Sequence, residues 1–408
     1  MRRYFYSLIL FFVLFGTAAP AFSATDAVIL PKKKPAIKVA PAGKSAAEKS
    51  APAKMGPPAP GQKNAAINKT DNTTQSEDDL PPAVDTDETT FPDYPKGARP
   101  AMGKMQTYTT DEQDTLLDIA RYFDLGFVEA RAANLELDPW TPVPGTEIEI
   151  PNFHLLPRAP QEGIVVNLAE MRLYYFKKPG EEPITYPIGI GRDGLQTPVG
   201  TTTIIRKGEK PIWYPTARMR EEKPFLPVAV PPGPSNPLGE YALYLGWAEF
   251  RIHGSNKPWA IGRRVSSGCM RMYPEDIKAL YDMVPVGTKV TIVDQPIMLA
   301  WIGSDLYLEA APSKTQSNDV EILGEFKPKD MDEPLQKAIE KAAGPHADLI
   351  DWDIARRVVH ERKGYPVVIA SLKKSDDADD KKESKKETKK PDVRTSAQEK
   401  QKPGSFNN

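Results

Sequence analysis

The sequence predicts a mainly β protein. A β-sandwich of short, mostly antiparallel strands spans residues 163–295, a small βααβ unit precedes it at 106–151, and an α/β appendage follows at 297–371. Three observations carry this reading. From Gly163 onward apolar residues alternate at period two in short runs bounded by Gly and Pro, the pattern of strands. Before it, Leu116, Ile119, Ala120 and Phe123 recur at i, i+3, i+4 and i+7, which is one buried face of a helix. Only one helical pattern interrupts the strand-rich stretch, and many strands with a single helix favour sheet packing on sheet.

Composition bounds the rest. A chain of 408 residues is long enough for two or three domains, at roughly 100–200 residues each. Its 54 basic and 55 acidic residues leave a net charge of −1, so no bulk attraction to nucleic acid is expected. The 42 prolines, about twice the usual ~5% share, point instead to long spacers.

Residues 1–23 place Arg2 and Arg3 before an apolar run at 4–15 and then small residues, the layout of a cleaved signal peptide. Cleavage fits after Ala21 or Ser23. The run is shorter than the ~20 residues that a spanning helix needs, and no cysteine follows it to take a lipid. Residues 24–105 are rich in Pro, Ala, Lys and Ser and acidic over 71–88, with too few bulky apolar groups to offset ordering. They read as a disordered tether.

In the βααβ unit Asp114 is expected to cap the first helix, a second helix covers 127–134, and 147–150 alternates as a strand. In the next region 164–168 and 172–176 form a hairpin turning at 169–171, with further strands at 186–190, 201–205, 242–245 and 250–253. The single helix opens with Pro274 at its first position and Glu275 and Asp276 in its first turn, and Gly287 lies beyond its end. A strand at 289–293 closes the region. The Pro-rich insertion at 206–239 is long enough to be a lid. Its Trp213 and Tyr214 either flank a substrate or bury the lid against the sheet. In the appendage, 306–309 reads as a strand, 333–343 and 351–362 as helices, and 366–369 as an apolar run; 373–408 is a disordered charged tail.

The chain holds one cysteine, Cys269, and four histidines, of which His253 lies sixteen positions before it across a Gly-, Ser- and Arg-rich loop. In an exported chain cysteines normally pair, so a lone thiol is a liability unless the thiol itself is needed. A thiolate is a strong nucleophile, an imidazole can take its proton, and N–H groups of a glycine turn such as Ser267, Gly268 and Cys269 can hold an oxyanion. The alternative makes Cys269 a small buried apolar residue and His253 a hydrogen-bonded loop residue. One Cys and one His do not close a metal site, so neither metal nor other cofactor is expected.

His253-Gly254 followed by Ser266-Ser267-Gly268-Cys269-Met270-Arg271 resembles the active-site signature of the L,D-transpeptidases of the YkuD type, the ErfK/YbiS/YcfS/YnhG-like group. Ser267 stands where many members carry a second histidine. Residues 191–200, with Thr197, Pro198 and Gly200, resemble another element of that family. Residues 106–151 resemble a LysM module, loosely at the start, where Asp111, Glu112 and Gln113 replace a glycine-containing turn. The resemblance implies that Cys269 is the nucleophile, His253 its base, and the Gly254 carbonyl the group that orients the imidazole. It also implies an oxyanion hole from Ser267, Gly268 and Cys269, with substrate contacts by Arg271, Trp213 and Tyr214. Arg271 either meets a substrate carboxylate or forms a structural ion pair.

The implied reaction is attack on a peptidoglycan tetrapeptide stem, release of D-Ala, and transfer to an amine of another stem to give a 3→3 cross-link in the periplasm. The implied partners are peptide stems and, through the LysM-like unit, glycan strands. Water or an outer-membrane lipoprotein lysine is an alternative acceptor for the same site. A papain-like hydrolase is disfavoured, because that family places its histidine far downstream of the cysteine. The reading from another class is a non-catalytic wall-binding scaffold.

Overall fold

The computed structural model describes residues 88–373 except 325 and 326. The expected signal peptide, most of the tether and the charged tail beyond Lys373 lie outside the described residues.

The first described elements are β1 (Ala101–Gly103), β2 (Gln106–Thr109), α1 (Leu116–Tyr122), α2 (Phe127–Ala133), β3 (Glu147–Ile150) and β4 (Phe153–Leu155). β2 pairs antiparallel with β3 around the two helices, and β1 pairs antiparallel with β4. The βααβ order therefore occurs as expected. β1 lies inside the stretch expected to be tether, which becomes ordered sooner because Ala101 and Met102 find ladder and apolar partners in the β4 region. The α1 cap is Thr115 rather than Asp114: Thr115 Oγ1 accepts from the Asp118 N–H at 3.2 Å. Asp114 instead accepts from the Asp111 N–H and the Tyr108 hydroxyl.

The central region contributes β5 (Gly163–Asn167), β6 (Arg172–Phe176), β7 (Ile184–Pro187), β8 (Ile190–Gly191), β9 (Gly200–Glu209), α3 (Ala217–Glu222), β10 (Tyr241–Leu245), β11 (Arg251–His253), β12 (Arg264–Ser266), β13 (Met270–Arg271), α4 (Pro274–Met283) and β14 (Lys289–Val293). Eight of these strands form one sheet in the order β13-β11-β10-β9-β14-β5-β6-β7. It is mixed, since β14 runs parallel to β5 and β11 parallel to β13.

The expected mainly β sandwich is thus corrected to a mixed α/β arrangement. Ile164 and Val166 of β5 face a core closed by Ile277 and Leu280 of α4, Phe127 and Val128 of α2, and Val320 of a later helix. Val165, on the opposite face, packs with Leu156, Tyr174 and Phe176. Period two fixed the alternation of faces; helices and an extended segment, rather than a second large sheet, bury them.

The C-terminal elements are β15 (Ile297–Ile302), β16 (Asp305–Ala310), α5 (Lys314–Leu323), α6 (Glu333–Ala343), α7 (Trp352–Glu361) and β17 (Val367–Ser371). β15, β16 and β17 make an antiparallel sheet against which Leu335, Ile339, Ala355 and Val359 pack. No described helix is long and apolar enough to cross a membrane.

Candidate active site

β11 carries His253 between two neighbours: Ala242 of β10 on one side and Arg271 of β13 on the other. Cys269 immediately precedes β13, so the parallel β11–β13 pairing sets thiol and imidazole on adjacent strands. Both open on one cavity of about 70 Å³, with Ser267, Arg271 and Arg251 also in its wall. Trp213, Tyr214 and Arg218 border it from the lid. The lid is tied at its base by the buried Asn236, whose amide donates to the carbonyls of Pro211, Val230 and Pro231.

The cysteine loop is shaped by hydrogen bonds that composition alone does not announce. Ser266 Oγ donates to the Cys269 carbonyl at 2.6 Å and accepts from the Gly268 N–H at 3.2 Å. Thr197 Oγ1 donates to the Gly268 carbonyl at 2.8 Å while accepting from the Gly191 N–H. The Thr-Pro-x-Gly element therefore holds the cysteine loop from a distant part of the sequence. Gly268 adopts φ +105, and a Cβ there would sit 2.9 Å from the Phe250 ring, so this position admits little but glycine. Its N–H, expected to face an oxyanion, is engaged by Ser266 Oγ.

His253 is buried, and its Nδ1 lies 2.6 Å from the Gly254 carbonyl oxygen. A carbonyl only accepts, so Nδ1 carries the proton and Nε2 keeps its lone pair. Burial pushes the imidazole pKa down to about 3, and the charges of Arg271 and Arg251 push the same way against the Gly254 and Leu238 carbonyls. Cys269 is half-exposed, and its Sγ donates to the Glu249 carbonyl at 3.3 Å. Burial of its sulfur pushes the thiol pKa up, opposed by Arg251 and Arg271. Both shifts favour the uncharged forms, a thiol and an imidazole, at neutral pH.

Cys269, His253, Gly254, Ser267, Arg271, Trp213 and Tyr214 are thus gathered at or beside one cavity. Tyr214 is largely exposed, whereas Trp213 is half-buried and bridges to Val230. Sequence reasoning gave no role to Arg251, Ser266, Thr197 or Arg218. Arg251 had one available signal, its place two residues before the histidine on the same strand, which turns it to the same face.

A thiol and an imidazole sharing a cavity rimmed by guanidinium groups is the arrangement of a thiol-dependent acyl-transfer enzyme. A family profile described as the L,D-transpeptidase catalytic domain, YkuD, matches residues 161–292. The chain is 37% identical over 291 residues to the Escherichia coli K12 protein named "Probable L,D-transpeptidase ErfK/SrfK", covering 69% of this chain and 91% of that one. It is 44% identical over 216 residues to "Probable L,D-transpeptidase YbiS" of the same strain, covering 51% and 70%. Among solved structures, the NMR structure of the catalytic domain from the E. faecium L,D-transpeptidase is similar at 24% identity, covering 33% of this chain and 99% of that one, with a TM-score of 0.27. The chain belongs to the L,D-transpeptidase family of the YkuD type, and so to the enzymes.

Proposed function

We propose that this protein forms 3→3 cross-links in peptidoglycan. Cys269 Sγ adds to the stem carbonyl that precedes the terminal D-Ala, and the thiol proton passes to His253 Nε2. The N–H groups of Ser267 and Cys269 hold the oxyanion of the tetrahedral intermediate. Its collapse breaks the amide bond, and the departing D-Ala amine takes the proton from His253. An amine of a second stem then attacks the thioester, gives its proton to His253, and releases Cys269, which recovers that proton. The observation that carries this reading is the shared cavity of Cys269 and His253, with His253 Nδ1 fixed by the Gly254 carbonyl.

Arg271 and Arg251 line the same cavity and suit a substrate that brings carboxylates on its stem. Trp213, Tyr214 and Arg218 on the lid fit a peptide laid across the opening. The β2-α1-α2-β3 unit is the part we assign to glycan strands, and the residues before it to an export signal and tether that set the enzyme in the periplasm.

The test is product analysis of purified sacculi incubated with the enzyme. Cross-linked dimers that vanish with Cys269→Ala are expected. Tripeptides without dimers would make water the acceptor, and stems bearing a lipoprotein lysine would make that protein the acceptor. A folded protein giving no product, and no covalent carbapenem adduct by mass spectrometry, would leave only the scaffold reading. For the glycan assignment, the Cys269→Ala chain should co-sediment with sacculi stripped of their peptides; failure to do so would sink it.

A further inference from the structure

Away from the thiol, three buried groups from separate parts of the chain converge. They are His154 of β4, Glu170 in the β5–β6 turn, which is half-buried as a residue, and Glu309 of β16, and one donor atom of each lies within 4.8 Å of the others. His154 is 2% exposed and Glu309 0%. The charge around them does not balance. Arg172 is the buried cation alongside, and its Nη2 reaches both carboxylate oxygens of Glu129, at 2.8 and 2.7 Å, forming a neutral pair. Glu170 and Glu309 remain as two further acidic groups in the same sealed region.

Their hydrogen bonds point the same way. Glu170 accepts from Asn167 Nδ2 at 2.7 Å and from the Tyr174 hydroxyl at 3.0 Å. Glu309 Oε2 accepts from the Leu155 N–H at 2.7 Å, but its buried Oε1 meets no donor, and the side chain within hydrogen-bond reach of the carboxyl is another acid, Glu170. A sealed carboxylate oxygen without a donor is costly, so a proton or a cation is needed to meet it. The His154 ring nitrogens sit 3.7 Å from Glu129 and 3.9 Å from Glu170, beyond hydrogen-bond range. Beside His154, Glu129 and Glu170 is a cavity of about 20 Å³, close to the room that one water-sized sphere takes.

We propose that His154, Glu170 and Glu309 form a structural divalent-cation site, matched best by Zn²⁺, that fastens the C-terminal sheet to the central one. One imidazole and two carboxylates suit Zn²⁺ by donor type. Donors bound to one such ion lie about 3–4 Å apart, so a small contraction from the observed separation closes the set. A charge of 2+ neutralises two carboxylates once Arg172 and Glu129 cancel. Asn167, Tyr174 and the Leu155 N–H already orient the two carboxylates, as groups behind metal ligands do. Without the ion, burial pushes the Glu170 carboxyl up to about 7 and Glu309 well above the carboxylate range, and holds His154 well below its usual value. This site is independent of the transpeptidase reading.

The experiment uses the full chain carrying Cys269→Ala, so that the active-site thiol takes no metal. After chelation and dialysis it is titrated with zinc chloride by calorimetry and followed by thermal unfolding. One tight site, a rise in Tm and X-ray absorption showing only nitrogen and oxygen ligands are expected. Glu309→Gln, a neutral isostere that keeps the fold, should weaken binding by about 100-fold or more and abolish the Tm rise. Unchanged affinity and Tm rise in Glu309→Gln would overturn the site. So would the absence of binding to the folded protein at millimolar zinc, which would mean that the cluster holds protons only.

Discussion

His253 Nδ1 and the carbonyl oxygen of Gly254, the next residue in the chain, are 2.6 Å apart. In the mechanism proposed above a backbone carbonyl takes the place that a carboxylate holds in other triads, and it orients the ring without adding a negative charge beside it. Burial of the ring and the charges of Arg271 and Arg251 outweigh what that carbonyl gives an imidazolium, and its pKa falls to about 3.

This predicts a dissociation between two kinds of reactivity. Alkylation of Cys269 by iodoacetamide needs a thiolate already formed, and the raised thiol pKa means its rate climbs with pH and shows no plateau near neutrality. His253→Gln should leave that profile nearly unchanged and lower acylation by a stem peptide about 10²–10⁴-fold, the usual worth of a general base. A neutral-pH alkylation plateau that His253→Gln removes would instead indicate a preformed thiolate–imidazolium pair.

Gly268→Ala tests the loop that presents the thiol. The alanine must adopt φ +105 and place its Cβ 2.9 Å from the Phe250 ring. Either Phe250 moves or the Ser266 and Thr197 hydrogen bonds to the loop stretch. Expected is a loss of about 1–3 kcal/mol of stability by denaturant unfolding, with acylation reduced further than stability alone explains. Wild-type stability and rate would mean that the loop is less constrained than its geometry requires.

Legibility in the sequence followed the range over which each signal acts. The hairpin of β5 and β6 was readable because alternation and its turn lie within a dozen residues, and α4 because Pro274 and its acidic first turn are local. β8, β12 and β13 have two or three residues each and no period of their own. They exist through partners, Ile190 with Arg264 and Ile252 with Met270. Cys269 and His253 stood out by rarity. Thr197 and Ser266 matched motif positions, but their work is done through hydrogen bonds to backbone atoms of the cysteine loop, and only the folded chain reveals those contacts. His154, Glu170 and Glu309 are scattered across three elements and left no spacing to read.

Glu170 gives a stability prediction whose sign follows from its raised pKa. The folded protein holds a proton on Glu170 up to about pH 7, while the unfolded chain releases it near 4.5. The associated stability is fully present below pH 4.5 and is lost as pH rises through about 7. Glu170→Gln removes the Glu170 share of that dependence, so with chelator present it should gain on wild type between pH 5 and pH 8. Denaturant midpoints at the two pH values measure it. A variant whose difference from wild type stays constant with pH would show that the Glu170 carboxyl is ionised in the fold throughout.

Arg172 and Glu129 give the strongest expected loss. Arg172, 1% exposed on β6, reaches Glu129 on α2 and the Asp124 carbonyl, so one buried ion pair joins the βααβ unit to the central sheet. Desolvating two charges makes the pair itself a weak stabiliser, but removing one partner strands the other in the interior. Arg172→Met alone should cost about 3–5 kcal/mol, or prevent folding. Adding Glu129→Gln to it removes the stranded charge and should recover most of that loss. Thermal unfolding of the two single variants and the double variant closes the cycle. A double variant no more stable than Arg172→Met would place the damage in lost packing of the arginine stem and in its bonds to Asp124 and Thr185, rather than in an uncompensated carboxylate.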